Sequence, residues 1–99
     1  MAPLFFVHAG VDPFTSLDDQ REDILLWVRD EFPDHIDTGR LIVHGHTPQR
    51  SGRPELRRYR LNVDTDAFAG GPLTAAVFRE RRVQPTSFLT DSGEVTKIQ

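Results

Sequence analysis

Cysteine is absent from this chain of 99 residues. No disulfide framework can form, and no thiolate is available to bind zinc or to act as a nucleophile. That suits a reducing compartment, and a cytoplasmic location is expected. Long apolar runs are also missing. The longest near the start is Leu4-Phe5-Phe6-Val7, whereas a signal-peptide core needs about 7–15 apolar residues and a membrane helix about 20, so no membrane partner is expected. Neither sign of charge dominates: the net charge of -3 gives no whole-chain attraction to nucleic acid or to anionic lipid. The run containing Arg50, Arg53, Arg57, Arg58 and Arg60 has no interleaved aromatic residue apart from Tyr59, so it reads as a solvated loop and not as a nucleic-acid interface. Hydrophobic residues make up 37% of the chain, low for a globular protein, which implies that part of a core lies elsewhere. A domain of this length buries only roughly 60–65% of its unfolded surface, so stability is expected to be marginal.

What is present is a short series of elements ending in distinctive residues. Leu4 to Val7 reads as a buried strand that stops at His8-Ala9-Gly10, and its apolar character on both faces implies a sheet covered on both sides. Thr15 and Ser16, followed by Asp18 and Asp19, form a capping-box-like helix start. Leu17, Ile24, Leu25, Val28 and Phe32 then recur at helical spacing, which predicts one long helix from Leu17 to Phe32, ended by Pro33. Leu41 to Val43 is a second apolar run and ends at His44-Gly45-His46-Thr47-Pro48. Gln49 to Arg60 reads as an exposed loop or loose hairpin, Arg60 to Asp64 as a strand, Ala69 to Pro72 as a turn, and Leu73 to Arg79 as a return strand. From Val83 the chain alternates weakly, which predicts an edge strand or a frayed tail. The fold class is therefore α/β (α+β): strands for two sheets with one long helix against them.

Three of the four histidines, His8, His44 and His46, stand within two residues of a glycine at the end of an apolar run. Two buried strands ending alike would put these imidazoles along one sheet edge, where α/β folds bind ligands. Imidazole nitrogen suits zinc, iron and manganese, and a neighbouring glycine lets a ligand approach the backbone. A histidine at a strand end also serves simply by bonding a loop carbonyl.

The order of motifs carries a resemblance. Phe6-Val7-His8-Ala9-Gly10, Leu25-Leu26-Trp27-Val28-Arg29, Val43-His44-Gly45-His46-Thr47-Pro48, Asn62-Val63-Asp64-Thr65, and Ala69-Gly70-Gly71 with Leu73-Thr74-Ala75 together resemble the second half of bacterial serine/threonine phosphatases of the phosphoprotein phosphatase family, within the calcineurin-like metallophosphoesterases. The resemblance covers about residues 5 to 79 and implies the C-terminal half of that family's β-sandwich, with residues 1 to 99 forming a partial domain. It implies metal ligation by His8 and His46, phosphate binding by Arg29, and a supporting place behind the ligands for His44 and Asp64. Read by itself, Arg29 is equally a solvated helix arginine, and Asp64 reads first as a turn former at a strand end.

The implied chemistry is two-metal hydrolysis of a phosphate monoester, with manganese, iron or zinc as the ions and a phosphoprotein as the first substrate class. A dinucleoside polyphosphate is the second. A non-catalytic remnant that holds a metal or phosphate, or docks a partner, is the reading from another class. The family's Gly-Asp-x-His, Gly-Asp-x-x-Asp-Arg-Gly and Gly-Asn-His-Glu motifs do not occur in this sequence, and no acid histidine can be assigned. Met1 stands just before the first strand, as if the chain began at an internal start, so a missing N-terminal segment or self-association is the expected partner beside the phosphorylated substrate. A catalytic metal generally needs three or more protein ligands. The 99-residue chain is accordingly expected to have little or no phosphatase activity; hydrolysis of p-nitrophenyl phosphate with manganese at an enzyme's usual rate would refute this.

Overall fold

The computed structural model describes residues 4–29, 36–80, 82–93 and 95–97. They form a mixed α/β chain with two small sheets and few helices. The first sheet has four strands. β1 (Leu4–Phe6) pairs in parallel with β2 (Leu41–His44), and β2 in parallel with β4 (Arg60–Asn62). The short β3 (Glu55–Leu56) pairs antiparallel with β4 at the edge. The second sheet is antiparallel, with β6 (Ser87–Thr90) between β5 (Thr74–Val77) and β7 (Val95–Lys97).

The pleat of β2 explains the layering. Successive side chains on a strand point to opposite faces, and all four residues of β2 are buried. Leu41 and Val43 join Leu61 of β4 and Phe88 of β6 in one core, with Leu4, Ala76 and Phe78 packed around it. Ile42 faces the other way, onto Val11, with Phe5, Val7, Leu17, Leu25 and Val28 against it. The first sheet is thus covered on one face by the second sheet and on the other by the segment between β1 and β2. The strand buried on both faces is β2; β1, expected to be buried, lies at the sheet edge with Leu4 and Phe5 half-buried and Phe6 69% exposed, because only one strand pairs with it.

The long helix is not formed. Leu17–Asp19 is a single 3-10 turn capped by the Ser16 hydroxyl, which accepts the Asp18 N–H, and the α-helix α1 runs only from Glu22 to Trp27. Gln20 and Arg21 between them are extended. The side chain of Gln20 accounts for the break. Its amide donates to the carbonyls of Asp12 (2.8 Å) and Thr15 (2.9 Å), and its oxygen accepts the Asp12 N–H (2.8 Å). That residue is spent organising the preceding loop, and helical propensity does not recover the cost. Val28 is again extended, so Arg29 lies beyond the helix. Phe32 and Pro33, assigned above to the helix end, lie outside the described residues.

After Val83 the described residues give two strands where the weak alternation predicted an edge strand or a frayed tail. β6 is the central strand of its sheet, and Phe88, 8% exposed, enters the main core. The return strand, β5, joins this second sheet and not the first. None of the described helices is long and apolar enough to cross a membrane.

One turn between the sheets is tightly constrained. A methyl group on Gly71 would lie 2.2 Å from the Thr65 carbonyl oxygen and 2.9 Å from that of Asp66. Both atoms are backbone and cannot swing aside. The neighbouring Thr65 is buried, and its hydroxyl bridges the Pro72 carbonyl and the Thr74 hydroxyl. Gly71→Ala is therefore expected to lower stability by about 1–3 kcal/mol, read as a lower urea midpoint at unchanged slope.

Candidate functional site

Three parallel strands end side by side, and each is followed two residues later by a potential metal-binding side chain. His8 follows Phe6 of β1, His46 follows His44 of β2, and Asp64 follows Asn62 of β4. This is the carboxyl rim of the sheet, where crevices of α/β folds take ligands. The Gly45 N–H donates to the His8 carbonyl (2.8 Å), tying the first two strand ends together, and the Ala9 N–H donates to Leu25 of α1 (2.8 Å).

The structure brings His8 and His46 into direct contact. His8 Nε2 lies 3.2 Å from His46 Nδ1, with ring centroids 4.9 Å apart and planes tilted by 54°. Trp27, at the end of α1, presents its indole to the His46 ring in an edge-on contact at 5.8 Å and 84°. The other His46 nitrogen, Nε2, is buried with no hydrogen-bond partner among the described residues. Burial, the Arg29 guanidinium and then His8 hold the His46 imidazole below its ordinary pKa, against an opposing pull from the Asp64 carboxylate.

The backbone at His46 is unusual. The residue has φ 70, in the left-handed region, and the Thr47 N–H donates to the Gly45 carbonyl (2.8 Å), so His46 is the central residue of a tight γ-turn. For a residue with a full side chain this costs on the order of 1–3 kcal/mol. Hydrogen bonds on both sides hold it: Gly45 to His8, and the Asn62 amide Nδ2 to the Thr47 carbonyl (2.8 Å).

The remaining sequence-derived residues divide. Arg29 is exposed, acts electrostatically on His46, and borders a depression of about 190 Å³ whose rim includes Thr47, Gln49, Glu55 and Arg60. His44 is buried and turned away from the pair: its ring bonds the Gly45 carbonyl through Nδ1 (3.1 Å) and receives Arg60 NH1 at Nε2 (3.1 Å). An arginine can only donate, so Nε2 is the acceptor and Nδ1 carries the proton. Arg60 is held in turn by Glu55 (3.1 Å). Asp64 uses Oδ1 to accept the Asp66 N–H (3.1 Å), which makes it a turn former, while its charge still reaches His46.

The donor geometry fits a metal ion in one respect and falls short in another. With metal–nitrogen bonds of about 2.0–2.1 Å, two nitrogens 3.2 Å apart subtend about 100° at a shared ion, between octahedral and tetrahedral values. The spacing suits two ligands of one ion. Among the described residues, however, no group of three or more His, Asp or Glu side chains is placed to hold a metal. Trp27 and Asn62 were quoted in the motifs without a role. The signal for Asn62 was a polar amide in the apolar alternation of β4, where burial requires a partner for each of its polar atoms.

Buried His44 has its pKa lowered from 6.5 to about 4, by burial first and the Arg60 charge second, against its bond to the Gly45 carbonyl. The unfolded chain therefore binds the extra proton first on acidification. His44 favours folding fully above pH 6.5, and this contribution is lost as the pH falls towards 4, by up to about 1.4 kcal/mol per pH unit. A His44→Gln variant is expected to unfold with a flatter pH dependence between these values in urea titrations.

No family model, curated protein or solved structure matches this chain. The roles of the rim residues rest on their geometry and on the order of their motifs.

Proposed function

We propose that this chain carries part of a metal-dependent phosphoesterase of the calcineurin-like kind, with His8 and His46 binding one divalent ion and Arg29 binding substrate phosphate. The observation that carries the reading is the 3.2 Å approach of His8 Nε2 to His46 Nδ1 at the carboxyl rim of a parallel sheet. The two sheets packed face to face, with α1 on the outer face of the first, are the layers such a half-domain would supply. Serine or threonine phosphate in a protein is the proposed substrate class, and manganese, iron or zinc the proposed ion.

Each residue has a physical task in this scheme. His8 and His46 would each offer a nitrogen lone pair to the ion, and burial beside Arg29 opposes protonation of His46. A divalent ion at that point supplies Lewis acidity and lowers the pKa of a bound water. Arg29 offers a planar fork of donors to two phosphate oxygens and remains charged at every working pH. The Gly45 N–H and His8 carbonyl bond keeps both histidine loops in one frame. The aspartates, asparagine and acid histidine of the full reaction are not among these residues, and in this reading another polypeptide segment contributes them. The small donor set among the described residues favours a second reading, in which the rim binds one ion or phosphate without turnover.

Titrating the 99-residue chain with cobalt, followed by its visible absorption, tests the reading. One equivalent is expected to bind. His8→Ala and His46→Ala should each weaken binding by roughly tenfold or more, and Arg29→Ala should leave metal binding intact while weakening phosphate binding to the loaded chain. Metal binding no tighter than that of the double histidine variant would exclude the assignment.

A further inference from the structure

We infer that Asn62 is a positioning residue: its buried side-chain amide holds the strained turn that aims His46 at His8. Asn62 is 1% exposed at the end of β4, level with His44 in the parallel pairing. Both ends of its side chain are engaged. Nδ2 donates to the Thr47 carbonyl at 2.8 Å, and Oδ1 accepts the Asp64 N–H at 2.9 Å. A single amide thus ties the loop after β2 to the loop after β4.

The tie acts where it matters most. Thr47 is the residue whose N–H closes the γ-turn around His46, and its carbonyl is the atom that Asn62 holds. On the other flank Gly45 is anchored to His8. Between these anchors the left-handed backbone of His46 has no freedom to relax, and the ring is delivered to His8 Nε2 on one side and the Trp27 indole on the other. Without the Asn62 donor, the flank at Thr47 loses the side-chain anchor, and the turn can revert to the extended backbone that a non-glycine residue prefers. The ring would then leave both contacts. An aspartate at this position keeps an acceptor for Asp64 and, when ionised, has no proton to give to Thr47, while alanine removes donor and acceptor together without adding a charge.

The effect on metal affinity rests on the metal-binding reading, while the effect on ring placement does not, so the experiment measures both. In NMR spectra of the full 99-residue chain, cross-relaxation between the His46 ring and the rings of Trp27 and His8 is expected in the native protein. It should be lost in Asn62→Asp and Asn62→Ala. Thr65→Ala removes another buried hydrogen-bonding side chain, one whose hydroxyl bonds Pro72 and Thr74 and neither histidine loop, and should preserve it. Cobalt affinity should fall about 10–100-fold in the two Asn62 variants and stay within twofold in Thr65→Ala. Retained ring contacts in folded Asn62 variants, or an equal loss in Thr65→Ala, would overturn the inference. If the native chain binds no cobalt, the metal reading falls and the ring contacts alone decide the role of Asn62. If neither Asn62 variant folds, hydrogen exchange of the native Asn62 side-chain amide decides: protection equal to that of strand amides supports the tie, and exchange at the solvent rate removes it.

Discussion

The parallel pairing of β1, β2 and β4 is the constraint from which the rest of the molecule follows. Because the three strands run the same way and end at one level, the residues just beyond them are delivered to a single rim. Residues 8, 46 and 64 are far apart in the chain, yet each lies two positions past a strand end. The same pairing buries Ile42, Val43 and Leu61, so the strands that aim the rim also carry both cores. Apolar burial thus fixes the position of polar groups that contribute little to stability themselves.

The rim is built with its imidazoles under tension. His46 is held in a left-handed backbone, pressed edge-on by Trp27 and placed against another imidazole. Burial and the positive charge of Arg29 oppose protonation of His46. Behind them His44 is kept neutral by burial and by Arg60, with its proton directed to the Gly45 carbonyl. The two histidines of the same short motif are thereby given different work: one faces the rim, and the other is a buried brace. Around them the fold leaves large apolar groups open to solvent, with Phe6 69% and Trp27 68% exposed, in keeping with the low hydrophobic content of the chain.

Much of this was legible in the residues. The apolar runs around Phe5 and Ile42 marked β1 and β2, and the doubly apolar pattern marked a sheet covered on both faces. The repeated sequence of apolar run, histidine and glycine anticipated that the histidines would share one sheet edge, and the resemblance singled out His8 and His46 among them. The long helix was the principal error. Its apolar spacing was real, and Leu17, Leu25 and Val28 do face the core, but that spacing is satisfied by a 3-10 turn and a six-residue helix with an extended joint at Gln20. The periodicity of a side-chain face does not report whether the backbone between its members stays helical. Two sheets were expected, but the central place of β6 in the second was not: β6 has one deeply buried residue, Phe88, and a single anchor leaves little pattern to detect.

The sequence by itself determined the strand cores, the histidines at their ends, the absence of thiol chemistry and the motif order that carries the phosphoesterase reading, because these depend on residue type and local spacing. Only the tertiary structure decided that His44 is locked between the Gly45 carbonyl and Arg60, that Asp64 accepts the Asp66 N–H, and that Asn62 holds Thr47. Those assignments depend on which hydrogen bonds form between segments distant in the chain, and a donor or acceptor finds its partner only when the sheet has brought the two within about 3 Å.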